Sequence, residues 1–437
     1  MIINHLNNLK EEKNFSKNID YNFKYNLLEK DENFREINIY LLNKCIVTGN
    51  NLFYPNNLIF SEKDNSIYRP IEETTMSLKD LKYSNTFKFS PKKIINQEST
   101  PVFYFIYNTD NYYHFIYDSL PYLLTYFFLK EKILDLKLLI NYPNFNKKEN
   151  YKFFNEFLDI LSINNNDILF VKENTVYNKI YISSSYTHGH NSNLPPRKEI
   201  YDLYDKICFK IKNNNNNLNK NFPKKIYISR RTWLHNDFSN IGTNYTNRRK
   251  MMNENELVEK LKENNFEEIF TENLSTQDKI LLFMNAEIIV GAIGGGMCNL
   301  LFANKVAKSI TICSPGFLSV NERFKFSLNK CNNVLLNNNF HYSNEKYKKF
   351  MRVKDKKSKI VGEIIEVNNE NVLINYSKNN ISGWNSEINF DKKIINKEDL
   401  ILLDKGLNSE WICNIDEVNN IIKNYNLNNT SCREKNI

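Results

Sequence analysis

Glycine is scarce in this chain, with eleven among 437 residues. Long hydrophobic runs are missing too. The most apolar stretch, residues 120–129, is interrupted by Pro121 and stops at Lys130-Glu131-Lys132, well short of the roughly 20 residues a membrane helix needs. The opening MIINHLNNLKEEKN is too polar and too acidic for a signal or transit peptide. These absences lead to the expectation of a soluble, cytoplasmic protein. The seven cysteines are odd in number, scattered, and lack CxxC or Cys/His ligand spacing. That pattern excludes a disulfide framework and a zinc site, and reads as reduced thiols. A dense basic block is absent as well. The net charge of +9 comes from 59 basic and 50 acidic residues spread along the chain, which tolerates acidic ligands but makes no case for nucleic acid.

What is present fits a globular protein: 41% hydrophobic and 14% aromatic residues, in a chain long enough for two domains and an appendage. Asparagine runs such as residues 213–217 and 337–339 read as loop filling. They also make sequons at Asn14, Asn244 and Asn380 expected by chance. Residues 1–35 form a polar lead-in, and the short runs 37–42 and 58–60 read as edge strands. An alternation follows. Residues 136–140 read as a strand and 151–161 as a helix with Phe153, Phe154, Phe157, Leu158 and Leu161 inward. Residues 168–171 and 179–183 are further strands, and 196–211 is a helix opening at the second of two prolines.

The asparagine-rich 212–223 places a domain boundary between 36–212 and 224–350. In the second domain, strands are expected at 225–229, 266–271, 288–290 and 309–313. A helix over 254–264 is capped by the Asn253/Glu256 pattern, and one over 276–285 by Ser275/Asp278. Another helix is expected over 297–303. Strand and helix taking turns argue an α/β fold with a mostly parallel sheet. Residues 358–437 change character. β-rich runs at 360–367 and 371–377, followed by Gly383-Trp384, resemble a small SH3-like or Tudor-like module, and a terminal helix is expected over 415–425.

Four of the eleven glycines, Gly291, Gly294, Gly295 and Gly296, stand within six residues directly after an apolar β-branched strand. Such a turn suits a phosphate, because it gathers backbone N–H groups and a helix start in one place. A tight turn without a ligand explains it equally well. The run lacks the Lys-Ser/Thr ending of a P-loop, misses the last glycine of the dinucleotide fingerprint, and has no acidic residue about 20 positions on. A dehydrogenase is thereby disfavoured.

Arg230 at a strand end, with Arg248 and Arg249 before a helix start, could meet the glycine turn and match phosphate oxygens. Upstream, Asn108-Thr-Asp-Asn111 supplies N-cap chemistry for a helix starting near Tyr112. His114 and Asp118 then share one helical face. By themselves these two read more simply as a core histidine and its local partner. Thr187-His-Gly-His-Asn191 has two histidines but no third ligand, so it reads as a loop at a cleft edge and not as a metal site.

Three blocks in order resemble the family-61 glycosyltransferases. They are Asn111-Tyr-Tyr-His-Phe-Ile-Tyr-Asp-Ser-Leu-Pro121, then Tyr227-Ile-Ser-Arg230 with Arg249-Lys-Met-Met-Asn-Glu254, then the segment from Ala286 through the glycine run to Phe302. In the last block Ile293 stands where the family usually has histidine, and Gly295 where it has alanine. The resemblance implies a GT-B fold, two Rossmann-like domains facing a cleft, to which the β-rich module read from the sequence pattern is appended. It also implies an inverting, metal-independent hexosyl- or pentosyltransferase. The co-substrate would be a nucleotide sugar, with a UDP-sugar expected and no further cofactor; the acceptor would be a glycan or protein hydroxyl. His114 is then the first choice of base, with Asp118 the alternative. Arg230, Arg249 and the backbone of Gly294, Gly295 and Gly296 meet the departing diphosphate, and Glu254 and Asn299 contact nucleotide or sugar hydroxyls. The other reading is a non-catalytic relative whose terminal module binds a glycan or protein. Sugar identity and linkage rest on pocket contacts that no motif encodes.

Overall fold

The structure is a computed structural model and describes residues 23–26, 35, 37–48, 58–61, 66–69, 74–77, 96–105, 111–140, 152–172, 175–188, 194–214, 221–231, 249–320, 322–338, 340–376 and 391–433. Arg248, His190 and Gly383-Trp384 lie outside them. The chain divides into two compact units, residues 1–207 and 208–437.

The first unit is built on a ten-stranded mixed sheet. Its strands are β1 (Phe23–Asn26), β2 (Asn38–Thr48), β3 (Leu58–Ser61), β4 (Ser66–Arg69), β5 (Thr74–Ser77), β6 (Asn96–Glu98), β7 (Val102–Phe105), β8 (Lys137–Ile140), β9 (Ile168–Phe170) and β10 (Thr175–Ser183). They run in the order β5-β4-β3-β2-β10-β7-β8-β9, with β1 on β2 and β6 on β10. One half, β10 to β9, is parallel, and the other half is antiparallel. The helices are α1 (Tyr112–His114), α2 (Tyr122–Lys130), α3 (Lys152–Ile160) and α4 (Lys198–Asn214), and a π-helical turn, Phe115–Ser119, joins α1 to α2. The boundary between the units falls within α4.

All four residues of β7 are buried, as a parallel strand covered on both faces requires. Phe153, Phe154, Phe157 and Leu158 form the buried stripe of α3. Phe115 seats the π turn against that stripe, its ring centroid 5.3 Å from those of Phe153 and Phe154 and 5.7 Å from that of Phe157. The runs at 37–42 and 58–60 are not edge strands. The first belongs to the eleven-residue β2, paired with β10 on one side and β3 on the other, and β3 lies between β2 and β4. Their outer partners β4 and β5 are mostly polar, so no apolar pattern announced them.

In the second unit, β11 (Lys225–Ile228), β12 (Glu267–Ile269), β13 (Ile288–Ala292), β14 (Lys308–Cys313) and β15 (Asn332–Asn337) form a wholly parallel sheet in the order β12-β11-β13-β14-β15. Between these strands come α5 (Glu254–Lys262), α6 (Thr276–Asn285) and α7 (Phe317–Val320). Ser275 caps α6 as expected, accepting the Asp278 N–H at 3.0 Å. Asn253 does not cap α5. Its side chain instead accepts the Cys413 N–H at 2.8 Å and donates to the Cys413 carbonyl at 2.9 Å. After the glycine run the chain forms only a six-residue 3₁₀ helix, Met297–Phe302. A helix this short adds little dipole to the turn.

A second sheet, β16 (Arg352–Asp355), β17 (Val361–Val367), β18 (Asn371–Tyr376), β19 (Asp391–Asn396) and β20 (Leu400–Leu402), is antiparallel in the order β19-β18-β17-β16-β20. It has its own core of Val353, Ile364, Val372 and Ile374. The terminal helix α8 (Ile415–Arg433) does not share that core. Its Val418, Ile422 and Tyr425, with Trp411 and Cys413, pack among Tyr227, Leu257, Val290 and Ile310 of the parallel sheet and α5. No helix among the described residues is long and apolar enough to cross a membrane.

Candidate active site

The strand order of the parallel sheet creates the place for a ligand. From β11 the chain crosses to β12 on one side and later to β13 on the other. The two connections therefore part at the carboxyl ends of β11 and β13, the crevice where open α/β sheets bind ligands. Ser229-Arg230 leaves β11 there, and Ile293-Gly-Gly-Gly296 leaves β13.

The half-buried Arg230 lies across this turn, with Nη1 donating to the Ile293 carbonyl at 3.2 Å. A Cβ on Gly294 would stand 2.6 Å from that Nη1, and one on Gly296 would stand 2.5 Å from Ile228 Cγ2, whereas one on Gly295 would meet nothing within 4 Å. None of these glycines has positive φ. Gly294 and Gly296 are thus required for close approach, and the backbone angles would admit other residues. The amides of Gly294, Gly295 and Gly296 donate to no group among the described residues. Three adjacent N–H groups beside a guanidinium are donors of the kind an anion takes. Asn299, fully buried, holds the turn from below, its Nδ2 donating to the Gly296 carbonyl at 2.9 Å.

Glu254, the first residue of α5, is 1% exposed. Its Oε1 accepts from the Tyr227 hydroxyl at 2.8 Å and from the Arg230 N–H at 2.7 Å. Its Oε2 is buried with no hydrogen-bond partner among the described residues. Burial raises the Glu254 carboxyl above its ordinary range, opposed by the Arg230 N–H, the Tyr227 hydroxyl and the Arg230 charge. Burial likewise lowers the Arg230 guanidinium, with Glu254 pulling the other way, and a guanidinium remains charged regardless. Glu254 and Asn299 are thus both buried, Glu254 bonded to Tyr227 and Arg230 and Asn299 to the Gly296 carbonyl. Arg231 is committed elsewhere, to Glu268.

Arg249 reaches the same carboxyl edge one strand further along. Its guanidinium stacks 4.8 Å over the Phe317 ring, just past the end of β14, and its charge draws the Cys313 thiol down against the burial that lifts it. Arg249 has φ +56°, rare for a residue with a side chain.

In the first unit, Asn111 caps α1 by accepting the His114 N–H at 3.3 Å. His114 Nδ1 lies 2.7 Å from Asp118 Oδ2, with the His114 side chain 24% exposed and Asp118 1%. Asp118 Oδ1 accepts from the buried Thr187 hydroxyl at 2.8 Å. The π turn that carries Asp118 closes through Leu120 N–H to the Phe115 carbonyl at 2.8 Å. Within it, the Ile116 carbonyl accepts from the Tyr204 hydroxyl at 2.8 Å and the Tyr117 carbonyl from Thr187 at 3.1 Å. π turns concentrate at functional sites. A buried carboxylate at one ring nitrogen of a more exposed histidine favours the tautomer that carries the proton on Nδ1.

The structure thus joins His114 to Asp118 in one unit, and Arg230 to Glu254 and Gly294 in the other. Sequence reasoning gave no role to Tyr227 or Thr187, although it quoted the segments they open, and did not name Trp411. Tyr227 and Ser229 alternate onto one side of β11, which was a usable signal for a shared partner; Thr187 and Trp411 carried none. Among the described residues, no cluster of three or more His, Cys, Asp or Glu could hold a metal ion, and Cys45, Cys208, Cys298, Cys313, Cys331 and Cys413 are buried thiols outside any disulfide. Ile293, 2% exposed, is a core residue.

No curated protein matches the chain. The model of one family, described as Glycosyltransferase 61, matches residues 112–310, from the start of α1 into β14. That span contains His114, Asp118, Arg230, Arg249, Glu254, the glycine run and Asn299, and over it the chain is similar to the glycosyltransferase 61 family.

Proposed function

We propose that the protein transfers a sugar, with inversion and without a metal, from a nucleoside diphosphate donor to a hydroxyl of a glycan or protein, UDP being the expected nucleotide. The observation that carries this reading is the conjunction of Arg230 with the three consecutive amides of Gly294, Gly295 and Gly296 at the switch point of a parallel sheet. Fixed donors aimed at a leaving diphosphate stabilise the charge that develops as it departs. Arg249 adds a second guanidinium at the same edge. The acceptor oxygen attacks the anomeric carbon as the bond to the diphosphate breaks. The hydroxyl proton passes to His114 Nε2, and the electron pair leaves with the diphosphate. The burial of Asp118 and its use of both oxygens favour His114 as the base and Asp118 as its orienting partner. The division of labour is that of the GT-B class, with a donor site in the second unit and an acceptor-side base in the first. The five-stranded antiparallel sheet we assign to an accessory SH3-like or Tudor-like role.

Calorimetric titration with a panel of nucleoside diphosphates and nucleotide sugars, followed by an assay for donor hydrolysis, tests the reading. Binding of one nucleotide, lost in Arg230→Ala, is expected. Failure of every nucleotide to bind refutes it, and binding without turnover on any acceptor favours a non-catalytic glycan- or protein-binding relative.

A further inference from the structure

Arg249 sits at φ +56°, a conformation that costs of order 1 kcal/mol or more in a residue with a Cβ and persists only where the surroundings impose it. Two hydrogen bonds from one distant segment do so. The Arg249 N–H donates to the Asn408 carbonyl at 2.8 Å, and the Arg249 carbonyl accepts from Trp411 Nε1 at 2.8 Å. The neighbouring backbone is tied to the same segment, with Trp411 N–H on the Lys250 carbonyl at 3.0 Å and Met252 N–H on the Trp411 carbonyl at 2.8 Å. Trp411 is 1% exposed and forms part of the core of the parallel sheet. It therefore anchors Arg249 to a rigid body. One residue past Cys313, at the same sheet edge, Ser314 Oγ is buried with no hydrogen-bond partner among the described residues. Neither Asn408 nor Trp411 lies within the span matched by the family model.

We propose that Trp411 and the Asn408 carbonyl are positioning residues of the donor site. They clasp Arg249 in its left-handed conformation so that its guanidinium stays at the carboxyl end of β14 for the donor diphosphate. This inference rests on the nucleotide-sugar reading above. A glycine at 249 would remove the backbone strain together with the guanidinium. An alanine would remove the guanidinium alone.

The test is a double-mutant cycle on the full chain, with UDP and inorganic pyrophosphate as probes. Trp411→Phe keeps a buried ring and deletes the N–H. It should weaken UDP binding about ten-fold in the wild-type background and leave it unchanged in an Arg249→Ala background, the non-additivity of residues acting through one another. A loss that is equal in both backgrounds, or no loss in either, overturns the inference and leaves the donor reading standing. Wild-type protein that binds neither probe overturns both. Melting curves supply a measurement independent of binding and of whether Trp411→Phe folds. Arg249→Gly should melt about 2–4 °C above Arg249→Ala, the shift that relief of this strain gives in a unit of this size. Equal melting temperatures overturn the claim that the clasp imposes strain.

Discussion

Changing Gly294, Gly295 and Gly296 to alanine one at a time adds the same methyl group at three successive positions, and the surroundings of each Cβ set three different outcomes. At Gly295 the new Cβ meets nothing within 4 Å, so stability should stay within about 0.5 kcal/mol of wild type and donor binding should be preserved. At Gly294 the Cβ would stand 2.6 Å from Arg230 Nη1, the end of a flexible side chain. The guanidinium swings away, giving up its bond to the Ile293 carbonyl, and the fold loses on the order of 1 kcal/mol. The guanidinium is then no longer held at the turn, and a charge-assisted hydrogen bond of about 1.5–3 kcal/mol is lost from the diphosphate, roughly 10- to 150-fold in affinity. At Gly296 the Cβ would stand 2.5 Å from Cγ2 of the buried Ile228 and 3.2 Å from Thr271 Oγ1. A β-branched side chain in a strand cannot swing aside, so the turn itself must move, at a cost of about 1–3 kcal/mol. Thermal melts of the three variants, paired with UDP titrations, separate the cases. Gly294→Ala binding as wild type does, or Gly295→Ala proving the least stable of the three, would refute the reasoning.

Glu254→Gln should be neutral or stabilising at pH 7, because the amide oxygen can keep the Tyr227 and Arg230 N–H bonds while the buried charge disappears. The folded carboxyl lies above its unfolded value near 4.5, so its contribution is full below that pH and is lost as the pH rises through the folded value. The advantage of Glu254→Gln in denaturant titrations should therefore grow from about pH 4.5 upward. Glu254→Ala instead leaves two buried donors unpaired and should cost about 2–5 kcal/mol. His114→Ala should lower the turnover rate about 10²- to 10⁴-fold with nucleotide affinity unchanged, and Asp118→Asn should lower it through the wrong ring tautomer; steady-state kinetics with parallel calorimetry distinguish the two effects. Burial pushes the Cys313 and Cys413 thiols up to about 12, so both should resist iodoacetamide at pH 8 until the protein is unfolded, as read by mass spectrometry of the labelled peptides.

Local chemistry was the legible part of the sequence. Ser275 announced α6, the phenylalanines of 153–157 announced α3, and Asn111 announced the helix start that carries His114. The apolar strands β7 and β13 were equally plain, since a strand buried on both faces is apolar throughout. The polar strands β4 and β5 and the π turn at 115–119 escaped, because their partners are distant and the pattern of side chains does not reveal an added backbone residue. Asn253 misled for a related reason. Its spacing to Glu256 is that of a cap, but the competing partner, the backbone of Cys413, lies 160 residues away. For the site, residue types pointed to Arg230 and the glycines. The reason for the glycines did not show, because the crowding by Arg230 and Ile228 exists only once β11 and β13 are neighbours.

The order of assembly follows from where α8 and Trp411 pack. The parallel sheet of the second unit begins at β11, yet its core closes only with Trp411, Cys413 and α8, while the antiparallel sheet β16 to β20 occupies the chain in between. In a growing chain that intervening sheet, made of more local pairings, can form first, whereas the surrounding sheet waits for the long connection from β15 to Trp411 to close. Until then Tyr227, Leu257, Val290 and Ile310 lack one wall of their core. A released chain truncated near residue 405 would therefore carry a folded insert beside an unfinished host. Pulse proteolysis of such chains should protect 352–376 and 391–402 before any part of the glycine turn.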